Sequence, residues 1–202
     1  MTILHVDSSI LTDQSVSRQL TAAIAQRLAQ ATPGQPVIYR DLAAAPIGHL
    51  SAAEFLAFQG VAATDEPTRQ AVQANAQLLE EFLAADTVVL GAPMYNFALP
   101  SQLRAWLDRL AVPGRTFRYG EAGVEGLAGG KRVIIASSRG GLYGEGQPAA
   151  SLDHQETYLR GFLGFLGITD VTIVRAEGVA YGPDARAAAV AAAIADVEAL
   201  AA

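Results

Sequence analysis

The chain is expected to adopt a doubly wound α/β fold, a five-stranded parallel sheet of order 2-1-3-4-5 with helices on both faces. Three observations predict it. Short apolar, β-branched runs recur at 3–6, 37–39, 87–90, 133–136 and 171–174, and most are continuously apolar, as strands covered on both faces are. Segments with helical periodicity separate them, and alternating β and α elements build parallel sheets sheathed by helices. The 202 residues show no internal repeat, low-complexity linker or break in composition, so one domain over 1–202 is expected.

The elements follow in order. After Ile3-Leu4-His5-Val6, the residues Val16, Leu20, Ile24 and Leu28 recur every four positions and give the first helix one apolar stripe. Beyond the 37–39 strand, residues 45–66 are long for a connection and carry Phe55, Leu56 and Phe58; they read as a short helix forming a flap over a site. A helix is expected from Thr68 to Leu83, with Pro67 suited to its first turn. Another starts near Ser101. Thr116-Phe117-Arg118-Tyr119, followed by Gly120, alternates like a hairpin before the fourth strand. A further helix starts near Asp153, and Pro183 opens an Ala-rich last one, expected to pack on the surface.

Composition narrows the function. A net charge of -6 argues against a nucleic-acid partner, since such domains carry a basic face. Mean hydropathy is positive, but alanine inflates it, and no apolar run approaches the ~20 residues of a membrane span. The first residues already read as a strand, without a secretory pattern, so the cytoplasm is the expected compartment. Cysteine is absent, which excludes disulfides, zinc–thiolate sites, cysteine-bound iron–sulfur clusters and dithiol redox chemistry. His5, His49 and His154 lie far apart and match no metal-ligand spacing, so no metal is expected. Electrons moved by this chain would have to reside on a bound organic cofactor.

Loops after parallel strands gather at one edge of the sheet, where open α/β folds bind ligands. Gly91-Ala92-Pro93-Met94-Tyr95-Asn96-Phe97 places a thioether, two aromatic rings and an amide in four consecutive residues, Met94, Tyr95, Asn96 and Phe97. This suits a flat aromatic ligand with hydrogen-bonding groups at its rim; the alternative is a turn whose rings extend the core. In the first loop, Asp7-Ser8-Ser9 leads to Ser15-Val16-Ser17-Arg18, with no acid from Ser15 to Leu20. Free amides, two hydroxyls and a nearby cation would suit a phosphate monoester, although Ser15 also fits an ordinary N-cap with Ser17 solvated. The third loop is Ser137-Ser138-Arg139-Gly140-Gly141. Its glycines permit close backbone approach or positive φ, or form a plain turn.

Several chemistries fail on residues. No Gly-x-Gly-x-x-Gly follows the first strand, no Gly-x-x-x-x-Gly-Lys-Ser/Thr phosphate loop occurs, and no Gly-x-Ser-x-Gly elbow is present. Asp7 and Asp13 are too few for a phospho-acceptor cluster. A purely structural domain without a bound cofactor is disfavoured by three convergent loops.

In sequence order, Ser8-Ser9-Ile10-Leu11, Ser15-Val16-Ser17, Arg40-Asp41-Leu42-Ala43, Ala92-Pro93-Met94-Tyr95-Asn96-Phe97 and Thr116-Phe117-Arg118-Tyr119 are followed by Ser138-Arg139-Gly140-Gly141, Phe162-Leu163-Gly164-Phe165 and Ala176-Glu177-Gly178-Val179-Ala180-Tyr181-Gly182-Pro183. This succession resembles the FMN-dependent NADH:quinone oxidoreductases, or NADH-azoreductases, which are flavodoxin-like. The resemblance implies that Ser9 and the Ser15, Val16, Ser17 turn hold the FMN phosphate. It implies that Met94, Tyr95, Asn96 and Phe97 run along the isoalloxazine and ribityl chain, and that Ser138, Arg139, Gly140 and Gly141 border the pyrimidine edge. It further implies NADH as donor, a quinone or azo compound as acceptor, ping-pong turnover on the flavin without a dedicated catalytic side chain, and a homodimer with FMN near the interface. Tyr119 and Phe162 are candidates for the substrate pocket. Leu142-Tyr143-Gly144-Glu145-Gly146 departs from relatives, so no substrate specificity is carried over. The rival reading is a flavodoxin-like electron carrier that binds FMN and a protein partner; residues 45–66 and 116–119 favour the enzyme.

Overall fold

The computed structural model describes residues 1–121 and 123–200. In chain order, the first half contains β1 (Ile3–Asp7), α1 (Val16–Ala31), β2 (Val37–Asp41), α2 (Ala52–Phe58), α3 (Glu66–Ala84) and β3 (Thr87–Pro93). The second half contains α4 (Ser101–Leu107), β4 (Phe117–Gly120), β5 (Gly123–Gly126), β6 (Arg132–Ser138), α5 (Glu156–Phe165), β7 (Asp170–Ala176) and α6 (Pro183–Glu198).

Alternation along the strands creates two cores, because successive strand side chains point to opposite faces. Leu4, Val6, Val88, Leu90, Val133 and Ile135 join Leu78 and Phe82 of α3, Trp106 of α4 and Leu159 of α5. Ile3, Val89, Ile134 and Val174 join Val16, Leu20, Ile24 and Leu28 of α1, with Ala193 and Val197 of α6. Burying each large aliphatic side chain stabilises the fold by about 1.5–3 kcal/mol.

The sheet strands are all parallel, in the order β2-β1-β3-β6-β7, and β4 and β5 form a separate antiparallel hairpin. β2 is an edge strand, with Val37 and Tyr39 about half exposed, so it is not covered on both faces as its short apolar run suggests. β3 and β6 stay paired through Gly91↔Ala136, Ala92↔Ser137 and Pro93↔Ser138. Gly91, Ala92, Pro93 and Ser138 are therefore strand, and the second and third loops begin later than the sequence indicates.

Caps explain where the helices start. α3 begins at Glu66 because the Asp65 carboxylate accepts the Thr68 N–H at 2.9 Å. Asp153 caps rather than begins α5, accepting from Gln155 N–H at 3.1 Å and Glu156 N–H at 2.9 Å. The segment expected to form a flap does contain a helix, α2, with Ser51 and Glu54 in a reciprocal capping box. Glu54 is buried and accepts from Asn75 at 2.9 Å and Arg109 at 3.1 Å, which ties α2 to α3. α2 lines a cavity of about 260 Å³ together with Val72, Leu79 and Val112, and none of its residues lines the cavities at the carboxyl rim. The flap reading is corrected accordingly.

The hairpin docks through two glycines. A Cβ on Gly126 would sit 2.1 Å from the Gly167 nitrogen, and Gly167 has φ of 88°, so the contact requires glycine at both positions. Among the described residues, no helix is long and apolar enough to cross a membrane.

Candidate functional site

The first loop is pinned at both ends. The Ser8 hydroxyl donates to the Gly91 carbonyl at 2.6 Å, and the Ser9 hydroxyl meets the Tyr95 hydroxyl at 3.0 Å. Arg18 braces the loop from below, with Nε and Nη2 donating to the Ser9 carbonyl at 3.3 and 2.9 Å. The same guanidinium grips Asp41 bidentately at 2.7 and 2.8 Å. Hydrogen bonds from Arg18 hold the Asp41 carboxyl down to about 2, opposed by burial, and the Asp41 hydrogen bond raises the pKa of Arg18. Beside them, burial followed by the charge of Asp7 pushes Tyr39 up to about 12. The expectation of Arg18 as a cation free for an anion is thus corrected: its charge is consumed by Asp41.

At the start of α1, Ser15 is the N-cap. Its hydroxyl accepts the Arg18 N–H at 3.2 Å as an N-cap and shares a 3.1 Å contact with the Ser17 hydroxyl. Gln19 N–H goes to the Ser15 carbonyl. Among the described residues, this leaves the N–H groups of Val16 and Ser17 without an acceptor, at the positive end of the helix dipole. Ser17 is fully buried, so the alternative of a solvated hydroxyl is excluded.

Ser15 and Val16 open onto a cavity of about 180 Å³, which the buried Ser17 does not line. It is lined by Ser9, Ser15 and Val16, by Met94 and Tyr95, by Ser138 and Gly140, and by Arg186 from the first turn of α6. A second cavity of about 690 Å³ shares Met94 and Tyr95 as a wall and continues over Ile10, Asn96, Pro100 and Ser101. The larger volume is of the order that accommodates small-molecule ligands, and the smaller adjoins it at the shared wall.

The second loop is strained. Tyr95 and Ala98 exchange two backbone hydrogen bonds of 3.0 Å each, and Asn96 and Phe97 between them have φ of 48° and 69°. Thr12, in the first loop, is the other non-glycine residue with positive φ among those described. Asn tolerates this region, whereas Phe does so at a cost of order 1–3 kcal/mol. The turn is held by the His154 N–H donating to the Phe97 carbonyl at 3.1 Å, and by the Phe97 ring meeting Tyr143 edge to face at 6.0 Å. Phe97 itself lines neither rim cavity.

The third loop corrects two expectations. Arg139 is fully buried and engages Asp153 at 2.8 Å, Glu156 at 2.6 Å and Glu177 at 3.1 Å. Its N–H is consumed by the Ala176 carbonyl, so Arg139 braces the loop and offers no side chain to a ligand. Gly140 and Gly141 do not have positive φ. A Cβ on Gly141 would come within 3.1 Å of the Tyr143 hydroxyl, whereas one on Gly140 would meet Ala180 at an ordinary 3.4 Å.

Tyr119 and Phe162 are not brought to these cavities. Tyr119 lies three-quarters exposed on β4, and Phe162 stacks on Tyr158 at 5.9 Å. Tyr158, missed in the sequence, lines a further cavity of about 280 Å³ with Ala98, Leu99, Arg104 and His154. Its signal was the four-residue spacing to Phe162. Arg186 was also missed; a cation in a helix's first turn, where acids are favoured, was the available clue.

Free helix-end amides, hydroxyls, a guanidinium and an aromatic wall fit a planar ligand carrying a phosphate, as FMN does. Together with the sheet order, this rim defines a flavodoxin-like protein, and the family model of that fold matches residues 1–201. An FMN-dependent NADH:quinone oxidoreductase from Methylocella silvestris is 61% identical over 191 residues, covering 94% of each chain. One from Azospirillum brasilense is 55% identical over 203 residues, covering 100% of this chain and 98% of its own. An azoreductase structure from Bacillus anthracis Sterne superposes with a TM-score of 0.86 at 30% identity, covering 98% of this chain and 97% of its own. The chain belongs to the FMN-dependent NADH:quinone oxidoreductase family.

Proposed function

We propose that the protein is an FMN-dependent oxidoreductase that uses NADH to reduce quinones, and azo compounds as further acceptors. The observation that carries this reading is the meeting of three loops on two cavities with a shared Met94–Tyr95 wall. Bound there, FMN would supply the hydride-transfer chemistry between NADH and the acceptor.

The chain's residues bind and orient. The free Val16 and Ser17 N–H groups, with the Ser9 and Ser15 hydroxyls, hold the phosphate. Met94 and Tyr95 wall the ring, Asn96 offers its amide beside it, and Ser138 and Gly140 border its polar edge. Such fixed donors favour negative charge at that edge without reorganising. Donor and acceptor share the larger cavity in turn, so turnover is ping-pong. The carrier alternative is disfavoured by that cavity of about 690 Å³, which a protein-to-protein electron shuttle does not need.

Counting only sheet strands, the order is the doubly wound 2-1-3-4-5, within one FMN-binding domain over 1–202. The protein works as a cytoplasmic homodimer; the exposure of Tyr119 on its hairpin supports a role against the partner subunit, where the two pockets are completed. The visible spectrum of purified protein, followed by assays with NADH and a simple quinone, tests the function. A flavin spectrum with parallel initial-rate lines is expected, and protein that takes up no FMN overturns the reading.

A further inference from the structure

Arg186 stands apart from the other cations near the rim. Arg18 is neutralised by Asp41, and Arg139 by three carboxylates. Arg186 has no carboxylate within ion-pair distance among the described residues; its Nη2 donates to the Gln14 carbonyl at 2.5 Å. A guanidinium has five donors, so this one bond fixes the arm and leaves the others available. Gln14 immediately precedes the Ser15 cap, so the bond holds the guanidinium beside the turn that carries the free Val16 and Ser17 amides. Arg186 and Val16 line the same cavity of about 180 Å³. Its position opposes the dipole of its own helix, where Asp184 is the favoured kind of residue. In a chain of net charge -6, an unpaired, half-buried cation at this cavity lacks a partner that an anion would supply.

We propose that Arg186 is a phosphate-binding residue that makes this site select FMN over riboflavin. The inference rests on the FMN reading above. A phosphate monoester carries about −1.5 to −2 charge near neutral pH, and riboflavin has a hydroxyl in its place. The guanidinium therefore adds charge-assisted hydrogen bonds to the one ligand and little to the other.

The test is a titration of flavin-stripped wild type, Arg186→Ala and Arg186→Lys with FMN and with riboflavin, followed by quenching of flavin fluorescence. Arg186→Ala should raise the Kd for FMN about tenfold or more and leave that for riboflavin within roughly twofold. Arg186→Lys should recover part of the FMN affinity, and added salt should weaken FMN binding to wild type more steeply than to Arg186→Ala. Unchanged FMN affinity in Arg186→Ala overturns the inference. Equal loss of both flavins also overturns it, since Arg186 would then act only through the Gln14 turn. Wild type that binds neither flavin defeats the FMN reading itself, and this inference with it.

Discussion

The hydroxyls of Ser9 and Tyr95 meet at 3.0 Å, joining the loop after β1 to the loop after β3. Two segments far apart in sequence thereby become one wall of the smaller rim cavity. Tyr95→Phe removes this bond and keeps the ring. FMN affinity should fall about fivefold, the worth of a typical net hydrogen bond of about 1 kcal/mol. An unchanged Kd in a flavin titration would show that the bond does not position the loop.

Asn96 sits at φ of 48°. Asn96→Gly should leave folding stability within about 0.5 kcal/mol, because glycine adopts this region freely. Asn96→Val should cost about 1–2 kcal/mol, since a β-branched residue is strained there. Urea unfolding of the pair checks this, and equal midpoints would mean that the turn rearranges.

Arg139 is buried among Asp153, Glu156 and Glu177. Arg139→Met leaves those carboxylates without their shared cation and should destabilise the fold by about 3–5 kcal/mol. Chemical denaturation measures this directly; a loss below about 1 kcal/mol would contradict the bracing role.

Asp41 titrates at about 2 in the folded protein, below its ordinary 3.8. A depressed carboxyl pKa contributes stability that is complete above the unfolded value and is lost as pH falls through the folded one. Asp41 should therefore contribute about 2 kcal/mol at neutral pH, lost between about pH 4 and pH 2. Asp41→Asn should be less stable at neutral pH and flatter over that acid window. Parallel pH profiles for the two proteins would refute the assignment.

A Cβ at Gly126 collides with the Gly167 backbone, whereas one at Gly120 meets nothing nearer than the Gly123 carbonyl at 3.9 Å. Gly126→Ala should cost about 1–3 kcal/mol, as overpacking does, and Gly120→Ala much less. Thermal melts of the two variants compare them, and similar values would mean the hairpin is free to shift.

Much of the fold was legible because its signals are local. The apolar runs at 87–90 and 133–136 and the four-residue stripe of α1 required only alternation and helical period. Pro183 marked the start of α6, and Thr116 to Tyr119 announced the hairpin. The lining of the rim cavities was legible where chemistry is dense in sequence, as in Met94 to Asn96 or at Ser15 and Val16. It was not legible where long-range pairing decides. That Arg18 would be taken by Asp41, and Arg139 by Asp153, Glu156 and Glu177, depends on strands and turns meeting in space. Arg186 reaches the cavity only because α6 packs beside α1. The left-handed Phe97 was equally hidden, since phenylalanine is no marker of positive φ.

The clasp of Arg18 on both Asp41 and the Ser9 carbonyl has a kinetic corollary. Asp41 ends an outermost strand, the part of an open sheet that frays most readily. Each time that margin peels away, the arginine loses its counter-ion and the serine loop loosens. Departure of the bound nucleotide should thus keep time with amide exchange in residues 37–41, a coupling between periphery and rim that static contacts alone would not suggest.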